Sequence, residues 1–130
     1  MANTGYSVTI KECSRELSAR ERIMLKDTSN AIKLDEVVTD DTPFNFKPID
    51  YAVLAVHNDK AQGDKDYEQY LILAEDGNKY VTGSHSFWNA FKDIWDEMHA
   101  SADSEEYSID AYKMDSKNYK GKKFITCSIV

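Results

Sequence analysis

Residues 51–82 constrain the fold of this chain more than any other stretch. Tyr51-Ala-Val-Leu-Ala-Val-His57 is almost wholly apolar and β-prone, the pattern of a strand buried in a sheet. The polar stretch from Asn58 to Lys65 contains Gly63 and reads as an exposed loop. Tyr67-Glu-Gln-Tyr-Leu-Ile-Leu-Ala74 reads as a second strand. Glu75-Asp-Gly-Asn78 carries the Asp-Gly chemistry of a hairpin turn, and Lys79-Tyr-Val-Thr82 returns as a third strand. The expected product is an antiparallel three-stranded meander.

The flanks add to it on both sides. Tyr6-Ser-Val-Thr-Ile10 alternates apolar and polar residues and reads as a short strand. Leu17 to Lys26 admits two readings, since Arg20, Glu21 and Arg22 suit a helix while Ile23-Met-Leu25 suits a strand. Asp27-Thr-Ser-Asn30 is rich in capping residues, and Ile32, Leu34, Val37 and Val38 predict a short helix over 31–38. Asp40-Asp-Thr-Pro43 ends that helix, and Pro48 opens the next element.

Beyond the meander, Gly83-Ser84 breaks the sheet, and Ser84 or Ser86 is placed to cap a helix. There Phe87, Phe91, Ile94 and Met98 recur at spacings of four, three and four, with Trp88 and Trp95 alongside. So wide an apolar stripe predicts a helix that closes one side of the core. Tyr107–Met114 and Phe124–Val130 read as two final strands. The expected fold class is mainly β, with one domain over residues 1–130. Its expected form is an OB-like small antiparallel barrel with a helix between the third and fourth strands.

The link between the last two strands differs in composition from the rest. Tyr112-Lys-Met-Asp-Ser-Lys-Asn-Tyr-Lys-Gly-Lys-Lys-Phe124 holds five lysines, three aromatics and an Asn118-Tyr119-Lys120-Gly121 turn. From Lys113 to Val130 the charge is +4, against −11 for residues 1–112, which carry 11 bases and 22 acids. The net charge of −7 argues against coating duplex DNA by bulk electrostatics, but a local basic ribbon remains. Ile109, Ala111, Ile125, Cys127 and Ile129 share core parity, which turns Tyr112 outward. Tyr112, Tyr119 and Phe124 are then expected to present rings beside Lys113, Lys117, Lys120, Lys122 and Lys123, with Asn118 in the turn. Base stacking on an aromatic is worth ~1–3 kcal/mol, and ammonium groups along the same ribbon neutralise phosphates. Tyr70 sits opposite in parity to Leu71 and Leu73 and is expected to face outward, onto a face that is either a further platform or covered by the N-terminal segment. The competing reading puts Phe124 in the core and leaves the lysines to keep a hairpin soluble.

Other chemistry is not signalled. His57, His85 and His99 fall on separate elements without ligand spacing, so no metal and no cofactor are expected. The acids form no two-metal pattern, Gly77, Gly83 and Gly121 are turn glycines, and Ser and Cys lack a nucleophile context. An enzyme is not expected. Cys13 and Cys127 read as reduced thiols of a cytoplasmic protein. No apolar run approaches the ~18 residues of a membrane span, and the N-terminus lacks a basic-then-apolar signal pattern.

Thr82-Gly-Ser-His-Ser-Phe-Trp88, Phe91-Lys-Asp-Ile-Trp95 and Ser116-Lys-Asn-Tyr-Lys-Gly-Lys-Lys-Phe-Ile-Thr-Cys127 together resemble small single-stranded DNA-binding proteins of tailed phages of Gram-positive bacteria. The resemblance covers residues 50–130. It implies an OB-like fold and sequence-tolerant binding of single strands in phage replication or recombination. Proteins of those processes would be partners, and a homodimer would extend the contact. The lysine hairpin, Tyr119 and Phe124 are the positions to which binding carries over. One departure is that the chain runs to a strand at Ile129-Val130 where bacterial-type relatives carry a flexible acidic tail, so recruitment through such a tail is not expected.

A second expectation is an acidic DNA mimic or inhibitor that occupies a host nuclease or another DNA-binding protein. It draws on the −7 charge and on Asp93 to Glu106, where six acids meet no base in sequence. A third is an adaptor that pairs its final strand with another chain.

Overall fold

The computed structural model describes residues 6–39, 42–60, 63, 65–100, 106–115 and 123–130. The chain enters through β1 (Tyr6–Cys13), α1 (Ala19–Lys26), β2 (Ile32–Lys33), α2 (Leu34–Val37) and β3 (Phe44–Phe46). It continues as β4 (Pro48–Asn58), β5 (Asp66–Ala74), β6 (Lys79–Thr82), α3 (His85–Ala100), β7 (Ile109–Asp115) and β8 (Lys123–Ile129). The protein is mainly β. Its strands form a five-stranded sheet in the order β1-β4-β5-β6-β2 and a three-stranded sheet in the order β3-β7-β8. Hydrogen bonding among the described residues does not close these ladders into one barrel. Two compact units result, one from Met1–Ile32 and Ile49–Gly83, the other from Lys33–Pro48 and Ser84–Val130.

In the first unit the meander forms as its pattern demands. The turn between β5 and β6 is closed by the Gly77 amide donating to the Ala74 carbonyl at 3.0 Å. Gly77 has φ +87°, a conformation that glycine adopts without the Cβ clash of other residues. Leu71 then faces Val81, and Ile72 faces Tyr80. On one parity Ala52, Leu54, Val56, Leu71 and Val81 join Leu17 and Leu25 in a core, with Val8, Ile10 and Cys13 packed at its edge. On the other parity Tyr51, Val53, Tyr70, Ile72, Tyr80 and Thr82 are buried as well. β1 lies antiparallel to β4, with a shift of register between Ile10 and Glu12 that marks a bulge.

The ambiguous stretch before Lys26 is a helix because its first turn is fully capped. Ser18 Oγ accepts from the Glu21 amide at 3.2 Å, and Glu21 reaches back to the Ser18 amide at 3.0 Å. At the other end Lys79 Nζ donates to the carbonyls of Met24 and Asp27 at 2.8 and 2.6 Å, satisfying groups the helix leaves open. The helix expected over 31–38 is corrected. Ile32–Lys33 joins the sheet edge as β2, and only one turn, Leu34–Val37, follows. The apolar spacing of Leu34 and Val38 was real, but it serves that single turn, with both side chains buried.

The second unit holds an element that sequence periodicity did not announce. Phe44-Asn-Phe46 lies between Pro43 and Pro48, too short to show alternation, yet it pairs with β7 as Phe44 opposite Ala111 and Phe46 opposite Ile109. The helix α3 begins as expected at Ser84, whose Oγ accepts from the Phe87 amide at 3.2 Å. Both Ser84 and Ser86 hydroxyls donate to the Ile125 carbonyl, at 3.3 and 2.9 Å, holding the helix start against β8. Phe87, Trp88, Phe91 and Trp95 are buried, as their spacing predicts. Their rings contact in series, at centroid distances of 6.0 Å for Phe87–Phe91, 5.4 Å for Trp88–Phe91 and 5.9 Å for Phe91–Trp95.

Candidate nucleic-acid interface

The terminal sheet has two unlike faces. Phe46, Ile109, Ala111, Ile125 and Cys127 share one face and are buried. Cys127 Sγ lies 3.9 Å from the Phe87 carbonyl, and burial pushes its thiol up to about 12. It is a packing group and a poor nucleophile. Both cysteines are free thiols.

The opposite parity carries Asn45, Asp110, Tyr112, Met114, Phe124, Thr126 and Ser128. Tyr112 stands opposite Thr126 and Met114 opposite Phe124, so Tyr112 and Phe124 are diagonal neighbours, both half-buried. The Tyr112 and Ser128 hydroxyls are 2.9 Å apart. Asn45 Nδ2 donates to Asp110 Oδ1 at 2.8 Å and to Ser108 Oγ at 3.0 Å, bracing β3 against β7.

The expected ribbon is corrected for Lys113 and Lys123, which do not stand beside the rings of Tyr112 and Phe124. Lys113 stands opposite Ile125 and Lys123 opposite Asp115, on the parity of the buried face. The two-residue period of a strand therefore sends these ammonium groups to the reverse side from Tyr112 and Phe124. Lys117, Asn118, Tyr119, Lys120 and Lys122 lie outside the described residues.

The outward placement expected for Tyr70 is corrected. Its exposure is 3 %, because its strand is buried on both faces and opposite parity to Leu71 does not mean solvent. The meander tyrosines share a device. The hydroxyls of Tyr51, Tyr70 and Tyr80 donate to Glu12 at 2.9 Å, Glu68 at 3.4 Å and Asp76 at 2.8 Å. Burial and those acids raise the pKa of Tyr70 and Tyr80. Tyr67 is exposed.

Two described acids of the run from Asp93 to Glu106 have basic partners that its sequence does not suggest. Lys92 Nζ sits 3.2 Å from Asp96, and Lys47 Nζ 3.9 Å from Glu106. His99 stacks on Trp95 with centroids 3.9 Å apart, and its Nδ1 lies 2.9 Å from the Trp95 carbonyl, so it is a packing residue.

Three features of the first unit escaped sequence reading because their partners are distant in the chain or split across a loop. His57 is held between two carboxylates, Asp66 on Nδ1 and Asp59 on Nε2, each at 2.7 Å. Those hydrogen bonds, Asp66 first, raise its pKa. The acids sit on opposite ring nitrogens and do not converge, and among the described residues no cluster of three His, Cys, Asp or Glu side chains could hold a metal ion. Arg15 Nε reaches Asp50 at 3.0 Å while its guanidinium also pairs with Glu21. That contact, with the Ser18 amide, holds the Glu21 carboxyl down to about 2. A third feature is a groove of about 310 Å³ between β1 and α1, lined by Thr9, Ile10, Ala19, Arg22, Ile23 and Lys26.

No protein-family model, curated protein or solved structure matches the chain. No helix among the described residues is long and apolar enough to cross a membrane.

Proposed function

We propose that this protein binds single-stranded DNA without sequence preference and without catalysis, in phage replication or recombination. The observation that carries the reading is the β7–β8 hairpin. It sets Tyr112, Met114 and Phe124 together on one sheet face and joins its strands through a connection bearing Lys117, Lys120 and Lys122. Half-buried rings offer π-faces to bases of any identity, and lysines at the hairpin end neutralise phosphates. The order of meander, helix and terminal hairpin is also that of an OB-like barrel, the finer architecture in which we place the chain. In this reading the protein works in the cytoplasm beside replication or recombination proteins, and a homodimer would lengthen the contact.

The test is a titration of labelled oligo-dT and a matched duplex by fluorescence anisotropy across salt concentrations. The expected result is preference for the single strand, with log K falling at a slope of about −0.7 per phosphate contact against log salt. Replacing Lys117, Lys120 and Lys122 together with glutamate is expected to abolish binding in a protein with an unchanged thermal midpoint. Full affinity in that folded variant would remove the hairpin as the binding site.

A further inference from the structure

α1 is an unusual helix for a folded core. Of its side chains only Leu25 is buried, while Ile23 and Met24 are 69 % and 60 % exposed. Ala19, Arg22, Ile23 and Lys26 recur at i, i+3, i+4 and i+7, the spacing of one helix face. In most helices that stripe would be core. Here it forms the wall of the groove against Thr9 and Ile10 of β1.

The charges of the groove are free for use. Elsewhere in this unit Lys11 is paired with Glu68, Arg15 with Glu21 and Asp50, and Lys79 with two backbone carbonyls. The exposed Arg20 and Lys60, like the groove cations, have no side-chain partner among the described residues. Arg22 and Lys26 are exposed and have no ion-pair or hydrogen-bond partner through their side chains among the described residues. No acid lines the groove. In a chain of net charge −7, two unpaired cations one helical turn apart over an apolar floor need an explanation.

We propose that the groove between β1 and α1 is a second phosphate-binding site for single-stranded DNA, resting on the single-strand-binding function inferred above. Arg22 and Lys26 lie about 6 Å apart along the helix axis. That is comparable with the separation of successive phosphates on an extended strand. Each cation takes one phosphodiester, and the exposed Ile23 lies against sugar. No aromatic residue lines the groove, so it tracks backbone and does not stack bases. Its concave shape between strand and helix suits a chain-like anion better than a flat headgroup surface.

Oligo-dT anisotropy across salt tests this with wild type, R22Q, K26Q, R22Q/K26Q and the charge-preserving R22K/K26R. Each single glutamine variant is expected to reduce the salt slope by about 0.7, and the double variant by about 1.4. R22K/K26R is expected to keep the wild-type slope. The positions are exposed, so the single variants serve even if the double one folds poorly. A wild-type slope in the glutamine variants, alongside lost binding in the hairpin triple variant, overturns the groove and leaves single-strand binding standing. No binding of oligo-dT by wild type overturns both. An unchanged oligo-dT slope with lost binding to phosphatidylglycerol vesicles also overturns the proposal, assigning the basic, apolar face of α1 to a membrane surface.

Discussion

At the scale of single residues, polar groups in the first unit find partners that their sequence neighbours do not announce. His57 has an unperturbed pKa of 6.5, and its hydrogen bonds to Asp66 and Asp59 raise it. Folding therefore favours the protonated ring. The resulting stability is fully present below pH 6.5 and is lost as pH rises through the raised folded value. His57→Gln is expected to be less stable than wild type at pH 6, with a gap that narrows as pH increases. Thermal midpoints of both proteins across pH measure this; a gap independent of pH would show that the imidazolium contributes nothing. Tyr70 teaches the complementary lesson. Its parity on β5 was legible, but parity alone cannot say that the second face of a sheet is buried.

At the scale of elements, the two main helices differ in what makes them helical. α3 is written into the sequence by its apolar recurrence and its Ser84 cap, and the structure places Phe87, Trp88, Phe91 and Trp95 in the interior. Phe91 touches three other rings of that series. Phe91→Ala is expected to cost about 3–5 kcal/mol through lost burial and a residual cavity. Chemical denaturation measures it, and the half-buried Ile94 provides the comparison, with a smaller expected loss. α1 has no such stripe in a core and depends on its Ser18–Glu21 capping box and on Lys79 at its far end. Its sequence was ambiguous for that reason, since Ile23 and Met24 look like strand residues and are in fact exposed on a helix. β3 was illegible because three residues cannot display a period.

At the scale of the whole molecule, connectivity sets the folding problem. Each unit is assembled from two stretches separated in sequence, Met1–Ile32 with Ile49–Gly83 and Lys33–Pro48 with Ser84–Val130. Within the first, β1 must find β4; within the second, β3 must find β7 across the length of the meander and α3. Such non-local pairing meets its loop-closure entropy before the contacts that reward it. Refolding is expected on the millisecond-to-second scale, not in microseconds, as a stopped-flow dilution from denaturant would measure. A microsecond phase carrying the full signal change would contradict the pairing of distant strands described here.

The sequence by itself determined the meander, the capped aromatic helix, the terminal hairpin and the cationic link, because each is a local pattern of period, cap or turn residue. The tertiary structure alone decided what lies between those elements. It buried both faces of the central strands and divided the strands into two separate ladders. It also recruited Phe44–Phe46 as a strand and left the Arg22–Lys26 face of α1 in a groove with β1. These outcomes depend on which distant segments share a surface, and burial and ion pairing are settled only when those segments meet.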